Sequence, residues 1–187
     1  MGVLALLYYL DGNGVVPWVL LACTFHELAH WSVIRALGGR VVLLRLSCAG
    51  AEMRLSAAHP LSPGGMLLAA VAGPASNLAI AWFSVQLVHW EEKLYFFAGL
   101  NLGLACFNLL PASWLDGGKA LEALLVRMGR KELGGRLVEL GSDITAGFLL
   151  AAGLILLWQT EGRNFTLLIA GLWMAAAARR ERRTAFL

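Results

Sequence analysis

Charged side chains are scarce in this sequence of 187 residues. Asp, Glu, Lys and Arg account for 14% of the chain, whereas 59% is hydrophobic and the mean hydropathy is +0.69. Soluble domains are about one quarter charged, and a compact soluble fold of this size could not cover its surface with so few charges. The composition argues against a soluble enzyme and a disordered region, and it predicts a polytopic protein of the lipid bilayer.

Basic residues and cysteines are also few. The 15 Lys and Arg residues are too dispersed to form a nucleic-acid-binding patch, so no nucleic-acid partner is expected. Cys23, Cys48 and Cys106 are far apart and show neither disulfide nor zinc-finger spacing. Because the sequence has no internal repeat and no linker, residues 1–187 are expected to form a single domain.

Charge-free stretches mark the predicted transmembrane helices. A spanning helix needs about 20 apolar residues, and a short apolar stretch at Val3–Leu10 could be a compressed span or lie in the membrane interface. The expected fold is all-α, with about six transmembrane helices and five as the alternative. The other stretches are Val15–Leu37, Gly65–Trp90, Leu94–Pro111, Ile144–Gln159 and Phe165–Ala178.

The distribution of Lys and Arg predicts the orientation of these spans. With six spans, one side of the membrane receives all basic residues of the loops and the tail except Lys93 and Arg163. Positive charge accumulates on the cytoplasmic side of membrane proteins. Both termini of this multi-pass protein are therefore expected to be cytoplasmic.

Two segments are not expected to span the membrane. Val41–Leu55 is apolar on both sides of a Ser-Cys-Ala-Gly turn signal, which predicts a small β-hairpin near the cytoplasmic face. In Asp116–Met128 the leucines recur at helical spacing with charges between them, which predicts an amphipathic helix. Gly134 and Gly135 are predicted to break this helix before the next span.

Three polar residues lie within the predicted span at Val15–Leu37. His26 and His30 are four residues apart, so an α-helix presents both imidazoles on one face. Glu27 follows the first histidine and could reach a metal-bound water. This is the H-E-x-x-H pattern of zinc hydrolases, and buried charges in a span usually serve a function.

A catalytic zinc site takes three protein ligands, and Asp116 is the candidate for the third. It follows Pro111, which ends a predicted span, and precedes two glycines that permit tight backbone geometry. The alternative is that Asp116 is the N-cap of the helix that follows it. His59 and His89 are expected to be ordinary interface residues.

Two asparagines lie in predicted spans. Asn77 ends the sequence Ala-Gly-Pro-Ala-Ser-Asn that begins at Ala72, and Asn108 lies in the neighbouring span. Their amides could hold substrate backbone or a developing oxyanion. They could equally form hydrogen bonds between helices, and their spacing does not decide between the two roles.

Taken together, these motifs resemble the site-2 protease family of intramembrane zinc metalloproteases. The matching segments are HELAH at 26–30, GPASN at 73–77 and NLLPASWLDGG at 108–118. The resemblance implies Zn²⁺ bound by His26, His30 and Asp116, with Glu27 as the general base that acts on a zinc-activated water. It also implies a transmembrane protein substrate that unwinds against the edge of the Val41–Leu55 hairpin.

Within that family the chain is similar to the minimal group that includes stage IV sporulation protein FB. This similarity implies a bacterial cell membrane, cleavage near the cytoplasmic face and a substrate such as a sigma-factor precursor or an anti-sigma factor. A regulatory membrane protein is a further expected partner. The Ser-Cys-Ala-Gly turn departs from the Phe-Gly-Gly-like turn that relatives often carry.

Two other functions compete with proteolysis. A zinc-binding membrane scaffold that has lost proteolysis would bind partner helices, although it would not need a base such as Glu27. A metal transporter usually binds its ion near the membrane midplane and often contains repeats, and no repeat is visible here.

Overall fold

A computed structural model describes residues 14–47, 50–56, 58–160, 168–169, 171–172 and 174–176. The predicted span at Val3–Leu10, most of the span at Phe165–Ala178 and the basic tail lie outside these residues. The chain divides into two compact units, residues 1–108 and residues 109–187. The expectation that residues 1–187 form a single domain stays a prediction.

The described part of the first unit contains three helices. They are α1 (Val15–Ala36), α2 (Pro63–Gln86) and α3 (Lys93–Asn108), and α2 packs against both of the others. The start of α2 is well defined because the Ser62 side chain accepts a hydrogen bond from the Gly65 N–H at 3.1 Å, with Pro63 in the first turn.

Small residues allow α2 to approach its neighbours closely. Its buried positions carry no large apolar side chain, which permits tight contact between helix backbones. They are Gly65, Ala69, Ala70, Gly73, Pro74, Asn77, Ala81 and Ser84. On α1 the buried residues recur at every fourth position and so form one face: Ala22, His26, His30 and Ile34.

Two strands occupy the segment for which a hairpin is predicted. β1 (Val41–Ser47) and β2 (Gly50–Leu55) pair antiparallel, from Ser47 opposite Gly50 to Val41 opposite Leu55, with an irregularity between Val41 and Leu43. The residues that join the strands lie outside the described part of the chain. The position of this pair near the cytoplasmic face stays a prediction.

The second unit contains α4 (Asp116–Arg127) and α5 (Lys131–Gln159), which pack together. The predicted amphipathic helix is therefore present. The predicted break at Gly134 and Gly135 is wrong, because both lie inside α5 and the chain turns instead at Gly129, where φ is +75°. Gly134 faces α4, where an added Cβ would lie 3.3 Å from the Cβ of Leu125.

Two of the described helices are long and apolar enough to cross a membrane. They are α2 and α5, and only 33% of the most apolar stretch of each is buried. The histidines and glutamate lower the hydropathy of α1, and α3 has 16 residues, which is short for a span. Helices thus occupy most of the predicted spans, whereas the number that cross the bilayer stays a prediction.

Candidate metal centre

His26 and His30 lie side by side on the buried face of α1. Both residues are almost fully buried, since 5% of His26 and 9% of His30 is exposed. The ring centroids are 4.7 Å apart at an angle of 80°, and the two Nε2 atoms approach to 3.1 Å. The sequence prediction that one helix face presents both imidazoles is confirmed.

The other ring nitrogen of each histidine faces a carbonyl oxygen. Nδ1 of His26 lies 3.0 Å from Oδ1 of Asn77, and Nδ1 of His30 lies 2.6 Å from the backbone oxygen of Ala69. An oxygen of this kind can only accept a hydrogen bond. Both Nδ1 atoms therefore carry the proton, and in neutral imidazoles both Nε2 atoms carry a lone pair.

The orientation of the Asn77 amide follows from a backbone group. Nδ2 of Asn101 donates to the backbone oxygen of Phe97 at 2.9 Å, which places Oδ1 of Asn101 towards Asn77. Nδ2 of Asn77 donates to that oxygen at 3.1 Å, and Oδ1 of Asn77 is left facing His26. Both asparagines are fully buried, at 0% exposed, so a chain of hydrogen bonds connects α3, α2 and α1.

The histidine pair has the chemistry of a zinc site. Two Nε2 lone pairs that face each other at 3.1 Å repel unless a cation or a proton lies between them. Zinc bound tetrahedrally at 2.0–2.1 Å would hold two nitrogens about 3.3 Å apart. Zinc-binding histidines usually donate their second N–H to an oxygen, as both histidines do here. The donor atoms therefore fit Zn²⁺.

Gly73 makes room for this arrangement. A Cβ at this position of α2 would lie 2.7 Å from Cε1 and Nε2 of His26, and closer still to Nε2 of His30. Any side chain here would displace the imidazoles. The Gly-Pro-x-x-Asn motif thus supplies the space at Gly73 and the hydrogen-bond acceptor at Asn77.

Glu27 is half-buried on α1, directly after His26. Its role as a general base stays a prediction. His59 and His89 are exposed, as ordinary interface residues would be, and neither takes part in the hydrogen bonds around the buried histidines.

Asp116 belongs to the second unit, where it opens α4. It is 7% exposed, and Lys119 Nζ lies 3.4 Å from its Oδ1. The N-cap interpretation is wrong, because Leu115 occupies that position and Asp116 lies in the first turn. A carboxylate there is stabilised by the positive end of the helix dipole. The role of Asp116 as the third ligand stays a prediction.

Glycines fix the backbone around Asp116. A Cβ at Gly117 would overlap the carbonyl group of Leu109, and one at Gly118 would overlap that of Ala112. The start of α4 therefore lies directly against the preceding segment, which explains the two glycines after the aspartate.

The segment that precedes Asp116 is also held by α5. A Cβ at Gly141 would lie 3.0 Å from both C and Cγ of Pro111. Oγ of Ser142 accepts from the Ser113 N–H at 2.9 Å and donates to the Val138 carbonyl oxygen at 2.7 Å. Ala112 and Leu115 join Ala146, Leu149 and Met174 in a small apolar core.

Asn108 is not part of the amide chain. Its Nδ2 donates to the Leu104 carbonyl oxygen within α3 at 3.0 Å. Substrate or oxyanion contacts by Asn77 and Asn108 stay predictions. Sequence analysis missed Asn101, which lies seven residues before Asn108 and therefore near the same face of the helix.

Comparison with known proteins connects this geometry to a family. Residues 84–152 match the profile of Peptidase family M50. The matched stretch is less than half of the chain, so the chain is similar to this family over that part of its length. Proteins of this family are membrane proteins. The two helices of this chain that are long and apolar enough to cross a membrane, α2 and α5, agree with that property.

Curated relatives of this chain are named as zinc metalloproteases. Rip3 of Mycobacterium tuberculosis, named as a candidate zinc metalloprotease, is 32% identical over 95% of this chain and 48% of its own length. A zinc metalloprotease of Methanocaldococcus jannaschii is 29% identical over 60% of this chain and 36% of its own length. The chain thus spans about half or less of these relatives.

A solved structure shares the fold. The site-2 protease from Methanocaldococcus jannaschii superposes with a TM-score of 0.63 at 23% identity, covering 96% of this chain and 84% of that one. At this identity the likeness establishes the fold. The resemblance read from the three motifs is therefore supported at the level of the M50 family, whereas the group that includes stage IV sporulation protein FB stays a prediction.

Proposed function

We propose that this chain is an intramembrane zinc endopeptidase. The proposal rests above all on the buried histidine pair of α1, whose Nδ1 atoms face oxygens and whose Nε2 atoms approach to 3.1 Å. The names of the relatives and the H-E-x-x-H sequence support the same metal and reaction. Asp116, a buried carboxylate, is the proposed third ligand.

The residues have separate roles in the proposed reaction. Zinc would act as a Lewis acid and lower the pKa of a bound water to about 7. Glu27 would accept a proton from the attacking water and return it to the leaving amine. Asn77 and Asn108 would support the substrate or the oxyanion, and Asn77 already supports His26.

The proposed substrate is a transmembrane or membrane-associated protein that is cut near the cytoplasmic face. A sigma-factor precursor or an anti-sigma factor fits the proposed similarity to the sporulation-type group. The substrate would add an extended strand to the edge formed by β1 and β2. The host membrane would be that of a bacterium, with both termini cytoplasmic, multiple spans and a regulatory membrane protein as a partner.

The experiment compares the wild-type chain with Glu27→Gln, both purified in detergent. Zinc per chain and cleavage of a single-span protein substrate are measured for each. We expect about one zinc in both proteins and cleavage by the wild type alone, with activity reduced at least about a hundredfold in the variant because the proton acceptor is lost.

Each other outcome removes a specific part of the proposal. Full activity of Glu27→Gln would exclude Glu27 as the base. Absence of zinc from the wild type would exclude the metal site. Zinc in both proteins without cleavage of any of several single-span substrates would favour the scaffold, and zinc flux in proteoliposomes without cleavage would favour a transporter.

A further inference from the structure

We propose that Asn101 is a positioning residue that keeps His26 ready to bind metal, acting through Asn77. The inference rests on the proposed zinc site. Among the described residues, the hydrogen-bond partners of the Asn101 side chain are Asn77 and the backbone oxygen of Phe97, and neither is a histidine. Its effect on His26 must therefore pass through the Asn77 amide.

The two ends of the Asn77 amide are alike in shape. A carboxamide rotated by 180° about its last bond exchanges NH₂ and C=O with almost no change in shape. Packing alone therefore cannot choose which end of Asn77 faces His26. The choice is made by the neighbour at the other end, where Oδ1 of Asn101 demands a donor.

The orientation of Asn101 is in turn fixed by the main chain. The carbonyl oxygen of Phe97 lies within α3 and can only accept, so Nδ2 of Asn101 must face it. Ser76 Oγ lies 3.4 Å from Oδ1 of Asn77, but its single proton is donated at 2.8 Å to the Gly73 carbonyl oxygen. The restraint on Asn77 therefore comes mainly from Asn101.

A rotated Asn77 would be harmful to metal binding. Its NH₂ group would face Nδ1 of His26, which would then have to accept a hydrogen bond. The proton of a neutral imidazole would move to Nε2, the atom that faces the same atom of His30. A protonated Nε2 cannot coordinate zinc.

A comparison of two backgrounds separates the loss of this hydrogen bond from an effect on packing. Asn101→Leu removes the acceptor and allows Asn77 to rotate. In the Asn77→Asp background rotation has no consequence, because a carboxylate presents an acceptor to His26 in either orientation. The measured quantity is the zinc dissociation constant of the full chain in detergent, obtained by competition with a chromophoric chelator.

We expect Asn101→Leu to weaken zinc binding at least about tenfold, as the loss of outer partners of metal-binding histidines does. Adding Asn101→Leu to Asn77→Asp should not weaken zinc binding, because it removes only an oxygen that faces the carboxylate with no donor between them. Leu102→Ala is the matched control, because Leu102 follows Asn101 on the same helix and is 50% exposed. It should leave zinc affinity unchanged.

Several results would overturn the proposal. An equal loss of affinity in both backgrounds would show that the Asn101→Leu substitution merely disturbs packing, and no loss in the wild-type background would show that Asn77 needs no restraint. If Asn101→Leu does not give a monodisperse protein, Asn101→Ala replaces it in both backgrounds. Absence of zinc from the wild type would overturn the zinc site itself, so the two failures are distinguishable.

Discussion

The two units of the chain hold their predicted metal ligands by different means. In residues 1–108 the histidines are oriented by side-chain hydrogen bonds to carbonyl oxygens of Asn77 and Ala69. In residues 109–187 Asp116 is placed by its backbone, because Gly117 and Gly118 let the start of α4 lie against the preceding segment. A histidine needs a defined tautomer and ring orientation, whereas a carboxylate offers two equivalent oxygens.

This difference predicts different weak points. The first unit should be sensitive to the loss of a hydrogen-bond acceptor and to the filling of the space at Gly73. The second unit should be sensitive to an added Cβ and almost indifferent to the exposed partner of its carboxylate. Three sets of variants test the comparison, from the largest expected effect to the smallest.

Gly118→Ala should cause the largest loss of stability. Its Cβ would overlap the carbonyl group of Ala112 and lie 3.1 Å from the nitrogen of Ser113, so the backbone must move at a cost of about 3 kcal/mol. Thermal unfolding in detergent, followed by circular dichroism, measures the change.

The control for this variant is Gly135→Ala in α5. An added Cβ there meets nothing within 4 Å, and alanine favours a helix by up to about 1 kcal/mol. The control should therefore be neutral or more stable. Equal destabilisation by the two variants would show that the close approach at Gly118 is unimportant.

Gly73→Ala should impair zinc binding more than it impairs folding. The added methyl group would occupy space used by Nε2 of His26 and Nε2 of His30. We expect zinc affinity to fall between about tenfold and a hundredfold, in the range found when the support of metal-binding histidines is lost. Gly103→Ala in α3 is the control, because nothing lies within 4 Å of its Cβ. Comparable affinities for the two variants would contradict the proposed arrangement.

Lys119→Met should have the smallest effect. The Lys119 side chain is 57% exposed and lies 3.4 Å from Oδ1 of Asp116. Exposed ion pairs contribute between about 0 and 1 kcal/mol, so the melting temperature and zinc affinity should change little. A loss of zinc affinity greater than about tenfold would mean that Lys119, rather than the backbone, positions the carboxylate.

Much of the first unit could be predicted from the sequence. The four-residue spacing of His26 and His30 determines that one face of a helix presents both rings, whatever the helix packs against. The Gly-Pro-x-x-Asn motif, which ends at Asn77, indicates α2 as the helix that packs against the histidines. These features depend on local geometry, which a sequence pattern encodes directly.

The identity of the supporting amide could not be predicted. Asn101 and Asn108 lie seven residues apart, about two helical turns, so they share a face and periodicity cannot choose between them. Only the depth at which α3 meets α2 places Asn101 beside Asn77.

The helix break predicted at Gly134 and Gly135 is wrong for a similar reason, because packing between helices decides the role of Gly134. Gly134 and Gly135 were predicted to break the helix because glycine disfavours helices. In the structure Gly134 lies where α5 approaches Leu125 of α4, so the absence of a side chain serves packing. The helix before it ends at Arg127, and the chain turns at Gly129, whose positive φ favours glycine.

The most direct test of the central claim is X-ray absorption at the zinc edge of the zinc-loaded chain, with Asp116→Ala measured alongside. The account predicts two imidazole nitrogens at about 2.0–2.1 Å in both proteins, and one oxygen ligand exchanged or lost in the variant together with weaker zinc binding. A sulfur ligand, or fewer than two imidazoles in the wild type, would contradict it.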